Sequence, residues 1–426
     1  MAQLKDDCFA FGGGLVPLDD ALAAFSARLG PVRDVETVGL LAARGRIAAE
    51  AVTAARSVPP HDNSAVDGYA VYFADLNPDG ETRLPVNGRV AAGHPLGRAA
   101  RRGEAVRIFT GAPMPIGPGG TQADGPDTVF MEEDAIPDGD AVRLPQGLKK
   151  GSNRRAAGED VKAGGIVIAK GHRLEPQDLG LAASVGIDGL KVYEPLRAAV
   201  FSTGDEIRDP SDDAPEGCVF DANRYTLMAL LAEQGCIVTD LGILPDRREA
   251  IEGALLGAAG DHDVLITSGG VSGGEEDHVK AAVQANGAVD FWRLAIKPGR
   301  PIALGTVKGT AFIGLPGNPA AATVTFLMVA RPLIRLLAGG RVVTPARFKV
   351  TADFDYKKKS GRREWVRARL DRREDGGLVA HKFRSSGAGI LSSIVESDGL
   401  VELPEPLERL VAGSQVDFLP FTEMMR

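Results

Sequence analysis

The stretch "DVLITSGGVSGGEEDHVKAAVQANG", residues 263–287, decides how the middle of this chain folds. It opens on an apolar, β-branched run too short for a helix, then breaks into glycines and serines. Three acids follow in a row, and apolar residues resume at helical spacing. That order reads as strand, turn, helix. Exposed backbone N–H groups in such a turn, and the helix start behind it, favour an anion. Yet the turn closes on Glu275, Glu276 and Asp277, which repel one. The glycines are not followed by Lys-Ser/Thr, so this is not a P-loop, and Ser268 stands where GxGxxG needs its first glycine. Two explanations of the acids stay open. Carboxylates in a first helical turn are stabilised by the helix dipole alone. A hard divalent cation held between one carboxylate and a substrate phosphate needs no more than this.

The flanking segments repeat the alternation. "RAAVFSTG" (197–204) reads as a strand, "ANRYTLMALLAEQG" (222–235) as a helix stopped by Gly235, "CIVTDLGIL" (236–244) as a strand and "DRREAIEGALLGAAG" (246–260) as a helix. Beyond the opening stretch come a strand "VDFWRLAI" (289–296), two strands turning at Lys308-Gly309, and a long apolar helix over 318–340. Strands alternating with helices over 198–339 predict a mostly parallel sheet with helices on both faces.

Outside this α/β segment the texture changes. Residues 54–150 carry short apolar runs with frequent Gly and Pro and read as β-rich. From residue 340, "EWVRARL", "GLVAHKF" and "QVDFLPF" alternate apolar and polar residues, with turns at Asp375-Gly376-Gly377 and Asp398-Gly399, as in a small antiparallel barrel. Residues 15–50 read as helical, and a second helix starts after Pro176; these two are expected to pack together. A chain of 426 residues holds about two to four domains. A net charge of −8 argues against a general nucleic-acid binder, which needs a positive stripe. Cys8, Cys218 and Cys236 form no CxxC pair. Asp6 and Asp7 stand where an export signal has its apolar run, and no segment offers about 18 uncharged apolar residues. The expectation is a cytoplasmic protein without membrane or nucleic-acid partners.

Chemistry concentrates in loops at strand ends. "FSTGDEI" (201–207) ends the first strand with Asp205 and Glu206, where open α/β sheets place ligands. "AIKPGRPIALG" and "IGLPGNPAAA" add Lys297 and Arg300 between the stiffening prolines 298, 301, 316 and 319. A solvated turn explains either cation alone, and Pro319 also fits as a helix starter behind Asn318. In the β-rich part, "SVPPHDNSAVDGYAV" (57–71) gathers His61, Asp62, Asn63, Ser64 and Asp67. "FTGAPMP" adds Thr110, and "SNRRAAGEDV" adds Arg154, Arg155 and Asp160. Paired arginines are a wet surface or an anion site. HExxH, paired His, CxxC and GxSxG are missing, so zinc hydrolysis and Ser-His-Asp acyl transfer find no support. Carboxylates, cations and rigid loops suit metal-assisted attack on a phosphoryl group.

The ordered series "PPHDNSAVDGYAV", "FTGAPMP", "NRRAAGEDV", "FSTGDEI", "DANRYTLMALL", "LGILPD", "TSGGVSGGEEDH", "FWRLAIKPGRP" and "GLPGNPAAA", spanning 58–322, resembles the molybdopterin molybdenumtransferase family. Its members are MoeA in bacteria and the gephyrin E-domain in animals. The resemblance implies four parts: a split helical and mixed domain (13–53 and 152–190), a β-rich insert (54–151), an α/β molybdopterin-binding domain (191–339) and a C-terminal β-barrel (340–426). It also implies an elongated homodimer whose cleft joins the insert of one subunit to the α/β and barrel parts of the other. The implied reaction takes adenylylated molybdopterin and molybdate, releases AMP, leaves molybdenum on the dithiolene sulfurs and uses Mg²⁺. Implied partners are a molybdopterin adenylyltransferase and molybdoenzyme maturation proteins.

Carried over by motif, the family's acids fall on Asp67, Asp160, Glu206, Asp246 and Asp277, with Thr110 beside them. Glu206 and Asp277 are expected to hold Mg²⁺ or order the attacking oxygen. Asp246 is expected to contact pterin or nucleotide, and Lys297 and Arg300 to receive molybdate or phosphate. The glycine turn (Ser268, Gly269, Gly270, Ser272, Gly273), Arg154, Arg155, Pro316 and Pro319 complete the expected binding set. Arg293 and Arg300 replace lysines common in the family, the loop 116–134 is longer, and Ala388 stands where a serine is common, leaving Ser385 and Ser386 as substitutes. Two other activities fit parts of the pattern: the adenylyltransferase step, which shares the α/β domain, and a non-enzymatic scaffold.

Overall fold

A computed structural model describes residues 15–27, 29–271 and 278–425, with backbone alone at 289–293 and 301. In the central segment the strands are β1 (Arg197–Thr203), β2 (Ile237–Leu244), β3 (Val264–Ser268), β4 (Gly287–Arg293), β5 (Pro301–Val307) and β6 (Thr310–Leu315). The helices are α1 (Asn223–Glu233), α2 (Arg248–Ala259), α3 (His278–Asn286) and α4 (Pro319–Leu337). The sheet order is β2-β1-β3-β6-β5-β4. The first four strands are parallel, β5 is antiparallel to β6, and β4 is antiparallel to β5.

Side-chain alternation divides each central strand between two cores. Ala198, Val200, Val264, Ile266 and Ile313 face Leu227, Leu231 and the α4 residues on one side. Ala199, Phe201, Leu265 and Phe312 face Ile251, Leu255 and Val279 on the other. Gly235 stops α1 at φ +81° as its position predicts. The turn at Lys308-Gly309 has φ of 47° and 90°, the left-handed pair a tight hairpin requires.

Three expectations need correction. Residues 15–50 are not one helix: the helix covers Leu18–Ser26, and Val35–Gly39 is a strand paired with Gly189–Tyr193. Gly30 and Pro31 break the helical run, and the alternation of Val35, Thr37 and neighbours finds a strand partner that outweighs helix propensity. Leu18–Ser26 also does not pack on the helix Pro176–Ser184; its Leu18 and Phe25 join the α4 core, while Ala43 from the turn Leu40–Ala43 meets Leu174 and Leu179. The predicted strand 289–296 ends at Arg293, and Ile296–Lys297 pairs with the C-terminal barrel instead.

Helix α4 carries a π-turn at Phe326–Ala330 just before Pro332, whose missing N–H cannot bond the carbonyl four residues back. It is long and apolar enough to cross a membrane, but 89% of that window is buried inside the fold.

The C-terminal strands are β7 (Phe348–Ala352), β8 (Arg363–Arg372), β9 (Leu378–Lys382), β10 (Gly399–Leu403) and β11 (Gln415–Pro420). The pairings β8-β9-β7-β11-β10 return to β8, closing a five-stranded barrel around Val350, Val366, Val401 and Phe418. Residues 68–144 contribute a separate six-stranded sheet. The barrel is bonded to the α/β segment by core packing, since Trp365, Leu419, Phe421 and Met424 share one cluster with α4 residues.

Candidate active site

The parallel strands end at one edge of the sheet, and the turns that leave them form one wall of a cavity of about 600 Å³. Glu206 follows β1, Gly269 and Gly270 follow β3, and Pro316 and Gly317 follow β6. The barrel forms the facing wall with Tyr356, Trp365, Arg367, Lys382 and Ser385. This is the place open α/β sheets offer a ligand.

Local backbone chemistry shapes the wall. Gly270 sits at φ +64°, and a Cβ there would lie 2.5 Å from Val279 Cγ2, so the turn hugs α3 only without a side chain. Gly299, at φ +89°, leaves no room for a Cβ against Thr325 Oγ1. Pro319 starts α4 at its first position and does not line the cavity. Asn318 supplies no side-chain cap. The carbonyl of Ala388, from the barrel, accepts from Ala320 N at 3.0 Å and does the capping.

Among the described residues the electrostatics are one-sided. Lys297, Arg367 and Lys382 line the cavity, against the carboxylate of Glu206. Arg367 is 4% exposed. Its Nε donates to Ser393 Oγ at 3.0 Å and its Nη2 to the Gly387 carbonyl at 2.9 Å, and no carboxylate pairs with it among the described residues. Burial holds its guanidinium below the ordinary value. Neither Arg367 nor Lys382 was singled out by sequence; the available signal was an arginine two residues after Trp365, on the same face of the strand.

The Glu206 turn is built around a buried cation. Arg224, 3% exposed, pairs with Asp221 at 3.0 Å and also with Asp209 and Asp240. Asp209 and Asp221 flank the short ladder Ile207–Arg208 with Val219–Phe220, and Val219 N donates to the Glu206 carbonyl at 2.8 Å. Bonds from Ser211, first its N–H and then its hydroxyl, with Arg224 beside them, hold the Asp209 carboxyl at about 2. Arg224→Met should destabilise the fold by about 3 kcal/mol, because Asp221 stays buried without its counter-charge. Urea unfolding measures it, and a loss below about 1 kcal/mol would refute the hub.

The other sequence-derived residues fall elsewhere. Asp246 accepts from Thr203 Oγ1 at 3.2 Å at the ends of β1 and β2. Ser268 is buried at the end of β3. Arg300 is exposed and does not line the cavity. Arg154 meets Asp62 at 3.5 Å, while Arg155 and Asp160 line a second cavity of about 430 Å³. Ser272, Gly273, Glu275, Glu276 and Asp277 lie outside the described residues.

Asp67 and Thr110 meet directly. Thr110 N and Oγ1 both donate to Asp67 Oδ1 at 2.7 Å. The backbone bond first and the hydroxyl second hold the Asp67 carboxyl below its ordinary value. A depressed carboxyl stabilises the fold above its unfolded pKa and loses that contribution as pH falls through the folded one. Thr110→Ala keeps the first bond and removes the second, so Asp67 should titrate at higher pH than in the parent chain. Carboxyl ¹³C NMR checks this; an unmoved titration would refute the pairing.

Comparison with known proteins agrees with this layout. Residues 16–186 match the pattern described as the MoeA N-terminal region (domain I and II). Residues 199–336 match a probable molybdopterin binding domain, and 349–421 the MoeA C-terminal region (domain IV). The chain is 37% identical to a molybdopterin molybdenumtransferase of Haemophilus influenzae, covering 96% of this chain and all of that one. It is 33% identical to molybdopterin molybdenumtransferase 2 of Mycobacterium tuberculosis, over 91% of this chain and 95% of that one. A crystal structure of the molybdopterin biosynthesis MoeA protein of Pyrococcus horikoshii OT3 superposes with a TM-score of 0.79 at 27% identity, covering 96% of this chain and 100% of that one.

Proposed function

The chain belongs to the MoeA family of molybdopterin molybdenumtransferases, and from that premise we propose that its main cavity is where molybdate meets adenylylated molybdopterin. As a member it is a transferase of molybdenum cofactor biosynthesis. The observation that carries the finer reading is the charge of the cavity among the described residues: Lys297, Arg367 and Lys382 against the carboxylate of Glu206, with Arg367 buried and meeting no carboxylate among them. A tetrahedral dianion suits that surplus, since fixed cations in a partly dry site bind anions more strongly than in water.

Mg²⁺ is tested by the donors present. No cluster of three His, Cys, Asp or Glu side chains fit for a metal occurs among the described residues. Magnesium in phosphoryl chemistry needs only one or two carboxylates, with substrate phosphate completing its shell. Glu206 meets that requirement, and Asp277 is proposed as the second donor. The ion would supply charge neutralisation at the phosphoanhydride. The chain's residues do the rest: Lys297, Arg367 and Lys382 orient the oxyanion, the glycine turn presents N–H groups to phosphate, and the barrel wall limits water. Asp246 is proposed to contact pterin or nucleotide.

The boundaries 13–53 with 152–190, 54–151, 191–339 and 340–426, a homodimer uniting Asp67, Thr110 and Asp160 with the main cavity, and a cytoplasmic location complete the reading. Incubating the purified chain with adenylylated molybdopterin, Mg²⁺ and molybdate, and following AMP by chromatography, tests it. Molybdate-dependent AMP release is expected. ATP-dependent adenylylation of molybdopterin by the chain alone, without that release, would favour the adenylyltransferase step instead.

A further inference from the structure

Lys297 is held by the barrel rather than by its own loop. Ile296–Lys297 adds in parallel to the edge of β8, with Lys297 in register with Glu364. The side chains continue that pairing. Lys297 Nζ donates to Tyr356 Oη at 3.1 Å and lies 3.2 Å from Glu364 Oε2, and Tyr356 Oη donates to the same Glu364 oxygen at 2.9 Å. Glu364 is 1% exposed, and its other oxygen accepts from Arg362 Nε at 2.6 Å. Arg362 already neutralises this buried carboxylate, so folding alone does not require that its second oxygen meet Lys297 and Tyr356.

The other two cavity cations are held differently. Lys382 Nζ stands 5.8 Å from the Tyr356 ring centroid, and Arg367 is fixed by carbonyls and Ser393. Of the three, Lys297 alone has a carboxylate partner among the described residues. Its Nζ is 5.6 Å from the Tyr356 ring centroid, out beyond the hydroxyl to which it donates. Tyr356 is thus a link between Lys297 and Glu364. Burial pushes the Tyr356 phenol up, so it stays an O–H donor at neutral pH.

We propose that Glu364 and Tyr356 are positioning residues that fix the Lys297 ammonium in the cavity wall, so that the α/β loop presents its cation only when docked on the barrel. The link to molybdate rests on the function proposed above; the placement of Lys297 does not. Trace acylation with acetic anhydride, read by mass spectrometry as the ratio of Lys297 to Lys382 modification, tests the placement without any ligand. Glu364→Gln and the milder Tyr356→Phe should each raise that ratio about tenfold. An unchanged ratio in both variants overturns the proposal, and because general unfolding exposes both lysines, the ratio separates positioning from loss of structure. Molybdate titration by calorimetry then tests the consequence. Each variant should weaken affinity about tenfold in the parent chain and add nothing in a Lys297→Ala background. A fully additive loss overturns action through Lys297. A raised labelling ratio in a chain whose parent binds no molybdate upholds the positioning and rejects the molybdate site.

Discussion

Replacing Arg367 by methionine should weaken molybdate binding by about a hundredfold or more while the fold survives. The guanidinium is buried and meets no carboxylate among the described residues, so the folded chain carries a desolvated charge that only hydrogen bonds to Ser393 Oγ and the carbonyls of Ser385 and Gly387 offset. Burial lowering its pKa is the same fact seen as a proton equilibrium: desolvation disfavours the charge, and a bound anion relieves that. Methionine of similar length removes the desolvation cost together with those bonds, so the net change in stability should stay within about 2 kcal/mol. Molybdate at a hundred times the parent's Kd should stabilise the parent chain by about 2.7 kcal/mol and the variant by no more than about 0.4 kcal/mol. Thermal unfolding with and without molybdate, and with sulfate as control, reads both quantities. A molybdate shift of equal size in the variant would remove Arg367 from the site.

The comparison of sequence and structure follows the range of the forces involved. The α/β sheet was legible because its strands and helices each show their own period, and its loops because Gly and Pro mark them. Residues 15–50 were misread because Val35–Gly39 is a strand only through its partner Gly189–Tyr193, 150 residues away in the chain by order of magnitude and invisible to local propensity. The α/β wall of the cavity was legible at Glu206, Gly269, Gly270 and Pro316, since these follow the ends of parallel strands, and at Lys297, since it stands in a proline-stiffened loop. The barrel wall was not. In "EWVRARL" strict alternation puts Trp365 and Arg367 on one face and Val366 and Ala368 on the other, as in any amphipathic strand. Only docking of the barrel on α4 shows that the Trp365 face is buried and the arginine with it.

Glu206→Ala is expected to lower molybdate-dependent AMP release about a thousandfold, about 4 kcal/mol of transition-state stabilisation. The turn that carries Glu206 is fixed without its carboxylate. Its carbonyl is held by Val219 N, and the ladder behind it is anchored by Arg224 with Asp209 and Asp221. The carboxylate lines the cavity and has no hydrogen-bond or ionic partner among the described residues. Removing it should therefore change unfolding free energy by no more than about 0.5 kcal/mol. Molybdate binding should persist or tighten, because a negative wall charge facing Lys297, Arg367 and Lys382 is gone. That opposite response separates Glu206 from Arg367, whose loss removes binding itself. Glu206→Gln keeps the shape without the charge and should resemble alanine in AMP release. If Glu206 holds the metal, raising Mg²⁺ should not restore the alanine variant, while Glu206→Asp should recover part of the rate with a higher Mg²⁺ requirement. Full AMP release in both Glu206→Ala and Glu206→Gln would exclude the carboxylate from the chemistry and leave the charge surplus of the cavity as a binding feature alone.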